Sequence, residues 1–309
     1  MLPLGGQRRG VSRKRGGTQM SYPSSGYAKY GPEPWQQTSW DWRAAGNFVC
    51  GGAGSGLIVF ATLAEAQGTA LALLMLAGLA LVGLGLFCVA LELGRPLRAL
   101  NVYRNPLTSW MGREAWAATA LFPAALAAAW GVPGFAWLAA ALALAFVFCQ
   151  ARLLQAAKGI PAWREPLVVP LLVTTGLAEG GGIFFALAPW HRTGTLWLLF
   201  GFGALVLLRV LVWLAYRRNL ANPIAPAAAT ALDRAGRALQ LPGTLAPFVL
   251  IAAIALGAVS GAATAWVAAV AGLAAAAGGA YTKYTLITGA GFNQGFALAH
   301  LPIRGARAE

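Results

Sequence analysis

The chain has 309 residues, of which 58% are hydrophobic and only 10% charged; a soluble domain carries about a quarter charged residues. Apolar runs of roughly 20 residues, the length that crosses a bilayer, recur along it and make it an integral membrane protein. The formal net charge of +14 is spread over short segments between these runs, which fits a polybasic surface beside anionic lipid and excludes nucleic acid as a partner.

Residues 1–42 form a basic and polar tail, expected to be largely cytoplasmic. Arg8, Arg9, Arg13, Lys14 and Arg15 are followed by polar and aromatic sequence, not by the short apolar core of a secretory or twin-arginine signal. Met20 is an alternative start, because residues 2–19 follow no structural pattern, and the first residues are expected to be disordered. A transmembrane domain over 43–289 follows, and 290–309 form a cytoplasmic tail. Its eight expected helices cover residues 44–64, 69–91, 110–130, 134–154, 167–189, 195–216, 244–260 and 264–287. These runs are continuously apolar and do not alternate, which excludes a β-barrel. The fold class is therefore all-α, with the eight helices expected as two four-helix bundles.

The connections divide by charge. Those after the first, third, fifth and seventh helices contain only Arg192 of the 23 basic residues. The others carry Arg95, Arg98, Arg104, Arg152, Lys158, Arg164, Arg217, Arg218, Arg234 and Arg237. The positive-inside rule places this second set and both termini in the cytoplasm, and an even helix count agrees. The first helix contains Gly51-Gly-Ala-Gly-Ser-Gly56 and the fifth Gly180-Gly-Gly182, both on the way out from the cytoplasm. This fits a parallel repeat of two four-helix units; close helix packing explains it equally.

Histidine is scarce. His191 lies in an outer connection and His300 in the opposite, cytoplasmic tail, so the two do not ligate one haem. Cys50, Cys88 and Cys149 lie singly in apolar runs and read as buried small hydrophobes; an iron–sulfur cluster needs about four thiolates. No metal-ligand spacing, P-loop or dinucleotide fingerprint is present.

Polar residues inside the spans carry the positive signal, since a charge near a helix centre costs about 2.5–3.5 kcal/mol on insertion scales. Glu179 lies in the middle of the fifth helix and Arg209 about two turns inside the sixth. They read as a buried ion pair or part of a proton path. Lys283 lies near the cytoplasmic end of the eighth helix and Asn47 in the first turn of the first. The densest polar stretch is 92–114. Glu92 ends the second helix and Glu114 begins the third, so both face the cytoplasmic boundary, where Asn47, Tyr103, Trp110 and Arg113 would complete a polar pocket for a lipid-soluble ligand with polar oxygens. The plainer alternative is an interfacial loop whose arginines snorkel to headgroups.

Glu92-Leu-Gly-Arg-Pro-Leu-Arg-Ala-Leu-Asn101, then Thr108-Ser-Trp-Met-Gly-Arg-Glu114, and the ending Lys283-Tyr-Thr-Leu-Ile-Thr-Gly-Ala-Gly-Phe-Asn293, carry a resemblance. They resemble the membrane-anchor subunits of molybdenum enzymes, the dimethyl-sulfoxide-reductase and polysulfide-reductase family. Thr38-Ser-Trp-Asp-Trp-Arg-Ala-Ala-Gly-Asn47 is most similar to the membrane subunit of phenylacetyl-CoA:acceptor oxidoreductase. The resemblance implies a haem-free subunit of an oxidoreductase complex in the bacterial inner membrane. It would handle a quinone (ubiquinone or menaquinone) and anchor a ferredoxin-like iron–sulfur subunit and a molybdopterin catalytic subunit, which hold the clusters and the molybdenum pterin. Glu92 stands where the dimethyl-sulfoxide-reductase anchors have a histidine associated with the quinone site, and Glu114 matches the family's acidic residue. Glu92 and Glu114 are thus the expected proton-exchanging residues, with Asn47, Tyr103, Trp110 and Arg113 orienting the ring. A secondary transporter using Glu179 and Arg209, and a purely structural anchor, are the alternatives.

Overall fold

The computed structural model describes residues 33–92, 96–191, 193, 195–220 and 224–295. The expectations for Met20, both tails beyond these limits, Arg95, Arg192 and His300 lie outside the described residues. Eight long helices account for most of the rest: α1 Trp42–Leu63, α2 Gly68–Ala90, α3 Trp110–Ala129, α4 Phe135–Ala156, α5 Val168–Ala186, α6 Leu196–Asn219, α7 Pro226–Ala255 and α8 Ala262–Gly289. Among the described residues, seven are long and apolar enough to cross a membrane; α3 is the exception. At 20 residues α3 is long enough, but Arg113 and Glu114 in its first turns lower its hydropathy.

The segments flanking the first and last helices bear on its status. Gln36 and Phe292 form an antiparallel bridge, Gln37 N donates to Gly291 O at 2.8 Å and Asn293 N donates to Trp35 O at 3.1 Å. The segment before α1 and the segment after α8 therefore meet on one face. Seven crossings would separate them, so α3 is the eighth.

The helices pack as two groups of four. α1–α4 form one, with α1 on α2 and α4, and α3 on α2 and α4; α5–α8 form the other, with α5 on α6 and α8, and α7 on α8. α1 and α5 join them and are the most enclosed helices. Small residues permit this contact. A Cβ on Gly56 would lie 2.5 Å from Gly176 O, and one on Gly180 would lie 2.1 Å from Leu57 N. The two glycine runs seen in the sequence are thus the two sides of one helix crossing. Outward-facing residues are apolar, as lipid requires: Leu73, Leu84 and Phe87 on α2 and Leu207, Leu211 and Leu214 on α6 are all exposed. Trp130, Trp137, Trp190, Trp197 and Trp266 gather at the outer ends of their helices, an interfacial aromatic belt.

The connections carry helix beyond the expected spans. The seventh helix, expected over 244–260, starts at Pro226 and ends at Ala255. Pro226–Gln240 is helical and continues through a π-turn, Leu241–Leu245, into Ala246–Ala255. Its charged residues, Asp233, Arg234 and Arg237, fall on one side, while Ala228, Leu232, Ala235 and Leu239 are buried on the other. The polarity that read as loop is the wet face of an amphipathic helix. The 92–109 stretch likewise contains a 3-10 helix, Pro96–Arg104.

Candidate polar site at the end of the first bundle

α1 begins with Asp41 as its N-cap, whose carboxylate accepts from Arg43 N at 2.8 Å and pairs with Arg43 Nη2 at 2.9 Å. These bonds from Arg43 hold the Asp41 carboxyl below its ordinary range. Arg43 also donates through Nη1 to Leu91 O at 3.0 Å, and its Nε stands 3.9 Å from Glu92 Oε1. Partial burial moves Glu92 upward from the usual carboxylate range, and Arg43 opposes that shift.

One turn further along the same face of α1 is Asn47, 3% exposed. Its Nδ2 donates to Glu114 Oε1 at 3.3 Å, and Gln150 Nε2 of α4 donates to Asn47 O at 3.0 Å. Glu114 is 4% exposed. Gly85 of α2 closes the fourth side, where a Cβ would lie 3.1 Å from Asn47 Oδ1. Asn47 Oδ1 itself is buried without a hydrogen-bond partner among the described residues. The four helices of the first bundle therefore converge on one carboxylate and one amide.

The structure brings Asn47 and Glu114 together and sets Glu92 one turn nearer the boundary, against Arg43. It does not bring Tyr103, Trp110 and Arg113 to them. Tyr103 packs edge-on to Trp116, and its hydroxyl is 2.9 Å from Thr119 Oγ1 on the outer side of α3. Arg113 donates to Pro106 O at 2.8 Å and Leu107 O at 2.5 Å. It tethers the loop ahead of its own helix, and it covers one Trp110 ring at 4.2 Å, with Arg152 over the same ring at 4.9 Å. Helix geometry separates neighbours in sequence: Arg113 and Glu114 stand about 100° apart around the axis, so one faces the loop and the other the bundle.

The expected pairing of Glu179 with Arg209 is corrected. Glu179 Oε2 meets Lys283 Nζ at 2.6 Å, and Lys283 also donates to Phe48 O at 2.7 Å. Arg209 instead donates to Ala275 O at 2.8 Å and Gly243 O at 2.5 Å. The lysine wins because α5 and α8 pack face to face there. Arg209 still lines the same layer: a Cβ on Gly279 would lie 2.9 Å from Glu179 Oε1 and 3.0 Å from Arg209 Nη1.

Gln150 and Arg43 are the partners that reading the sequence left out, and Lys283 stood out there without being paired with Glu179. Gln150 had a signal, since it is the one amide on a face with Ala139, Ala143 and Phe146. At the other end, Thr193 N donates to His191 Nδ1 at 3.1 Å, so Nε2 carries the hydrogen given to Phe184 O at 2.8 Å. Burial lowers the His191 pKa, and the ring is a neutral cap on α5. Among the described residues, no group of three or more His, Cys, Asp or Glu could hold a metal ion.

The model of one protein family, the DMSO reductase anchor subunit (DmsC), matches residues 43–221. That match covers more than half of the chain and takes in α1 to α6, with Asn47, Glu92, Glu114 and Gln150. No individual curated protein matches.

Proposed function

Because the chain belongs to the DMSO reductase anchor subunit family, we propose that it passes electrons between the membrane quinone pool and an iron–sulfur subunit docked on its basic face. Through that subunit it would serve a molybdopterin catalytic subunit. The excess of basic residues in the loops supports a cytoplasmic setting for this face and both termini, in a bacterial inner membrane.

The observation that carries the quinone reading is the Asn47–Glu114 pair. A carboxylate this buried is held by Asn47 Nδ2 at 3.3 Å, with Gln150 beside it, and among the described residues no cation pairs with it to explain it as structural. The residues fit a ring with polar oxygens. Asn47 Oδ1 is a buried acceptor without a partner, and Glu114 accepts or donates according to its protonation. A quinone, when bound, supplies two-electron, two-proton chemistry at those oxygens. Glu114 holds or releases the proton at its carboxylate oxygens. Asn47 positions Glu114, and Gln150 fixes the backbone that positions Asn47. Arg43 and Glu92, one turn outward and partly exposed, link the pair to water. Trp110, Arg113 and Tyr103 shape the covering loop.

The substrate of the complex is set by its catalytic subunit. The likeness of residues 38–47 to the phenylacetyl-CoA:acceptor oxidoreductase subunit makes phenylacetyl-CoA the first compound to assay. The test of the quinone reading is Glu114→Gln in the assembled complex. Quinone-linked turnover should fall on the order of 100-fold or more, with dye-linked activity of the catalytic partner retained. Loss of both activities, or of neither, overturns the reading.

A further inference from the structure

We propose that a cleft between the two bundles, at the same membrane boundary, binds the phosphate headgroup of an anionic phospholipid. The cleft has a volume of about 630 Å³ and lies where α4 ends, where the short helix Pro161–Arg164 turns, and where α6 ends. Its polar wall is Arg152, Lys158, Arg164, Glu165 and Asn219, with the Trp110 indole at one side. The rest of the wall is mostly apolar, with Pro161 and Leu220 facing Gln155 and the charged groups.

Three cations face one carboxylate, and that carboxylate is engaged by Asn219 Nδ2 at 3.4 Å. Among the described residues, none of the three cations pairs with an acid. Arg152 donates to Gln155 Oε1, and Arg164 Nη2 donates to Gln294 Oε1 at 2.9 Å. Both acceptors are neutral, so they aim the guanidinium groups without cancelling their charge. Each guanidinium has five N–H donors and spends few of them here. Planar forks of this kind match phosphate oxygens.

Free phosphate shares this chemistry, but the location favours lipid. The cleft opens at the bilayer boundary beside an interfacial tryptophan, and part of its wall is apolar, suited to a glycerol backbone. The excess of two positive charges and the volume suit a headgroup with two phosphates, as in diphosphatidylglycerol. Since one wall belongs to each bundle, the bound lipid would fasten α4 to α6.

The experiment uses the chain purified with whatever subunits accompany it, in nanodiscs of phosphatidylcholine alone or doped with diphosphatidylglycerol. Lipid retention is read by native mass spectrometry. Each cation beside anionic lipid is worth roughly fivefold in affinity, so the three together reach on the order of 100-fold. The unmodified protein should retain diphosphatidylglycerol in preference to phosphatidylcholine. Arg152→Gln/Lys158→Gln/Arg164→Gln should lose that preference. Lys158→Gln alone, at an exposed site with no side-chain bond among the described residues, should weaken it about fivefold without touching the fold. Equal retention by the variants, or equal retention of phosphatidylcholine, overturns the proposal. Displacement of the lipid by millimolar inorganic phosphate would make this a free-anion site and also overturn it. So would absence of lipid together with cross-linking of Lys158 to a partner's carboxylate.

Discussion

Replacing Gly180 by alanine tests the joint between the bundles. The added Cβ would lie 2.1 Å from Leu57 N, 2.2 Å from Gly56 C and 2.3 Å from Gly56 Cα, all backbone atoms. Ordinary contact begins near 3.4 Å, so α1 and α5 must part by about 1.3 Å. No flexible side chain can yield instead. Overpacking of this kind costs about 1–3 kcal/mol, and a rigid backbone contact belongs at the upper end. Alanine's better helix propensity returns up to about 1 kcal/mol. The net loss is about 2 kcal/mol, roughly a 30-fold change in the folding equilibrium. Gly201→Ala on α6 is the control, because its Cβ would meet nothing within 4 Å; it should be neutral or slightly stabilising. The assay is the fraction of monodisperse protein surviving a temperature series in mild detergent. If Gly180→Ala survives as well as Gly201→Ala, the close crossing is not what holds α1 to α5.

Lys283→Met strands the buried Glu179 carboxylate and should cost about 3–5 kcal/mol. The double variant with Glu179→Gln should recover most of that, and simple additivity of the two losses in the same heating assay would refute a direct pair. Glu92 tests the boundary by pH. Burial raises its folded pKa above its unfolded one, so folding favours the protonated form and stability is lost as pH rises through the carboxylate range. Glu92→Gln should therefore outlast the unmodified protein near pH 7, with the gap closing toward about pH 4, where both side chains are neutral. A gap that widens on acidification would reverse the sign and refute it.

The number of spans was legible because bilayer length and apolar runs depend on sequence alone, although the seventh helix starts well before the expected 244, at Pro226. The crossing of α1 and α5 was half legible. Two glycine runs announced close contact somewhere, but only the fold shows that each run is the other's partner. Asn47 and Glu114 were legible as polar residues at one boundary. Their neighbours were misjudged because sequence proximity does not fix direction around a helix, and Arg113 turns to the loop while Glu114 turns inward. The Glu179 partner was illegible for a related reason. Arg209 and Lys283 are both buried cations, and the choice between them rests on the facing of α5 and α8. The two π-turns, Leu241–Leu245 and Thr285–Gly289, left no distinct sequence trace beyond Pro242.

Those turns also bear on the transporter alternative. A π-turn breaks the regular backbone ladder and frees a carbonyl. Here a carbonyl of each turn accepts from a buried donor: Gly243 O from Arg209 Nη2, and Leu286 O from Trp163 Nε1 at 2.9 Å. Lys283 takes Phe48 O as well as Glu179. The buried charges of the second bundle are thus tied to the backbone of α1, α7 and α8. Their heads occupy space that Cβ atoms would otherwise take, since a Cβ on Gly52 would lie within 2.3 Å of Lys283 Nζ. A rocking mechanism would have to break these bonds in the apolar interior at every cycle, at about 1–3 kcal/mol or more for each stranded polar group. Among the described residues the Asn47–Glu114 pair carries no such tie to a cation. Chemistry at the boundary of the first bundle, over a second bundle locked by its own charges, is the arrangement these energies favour.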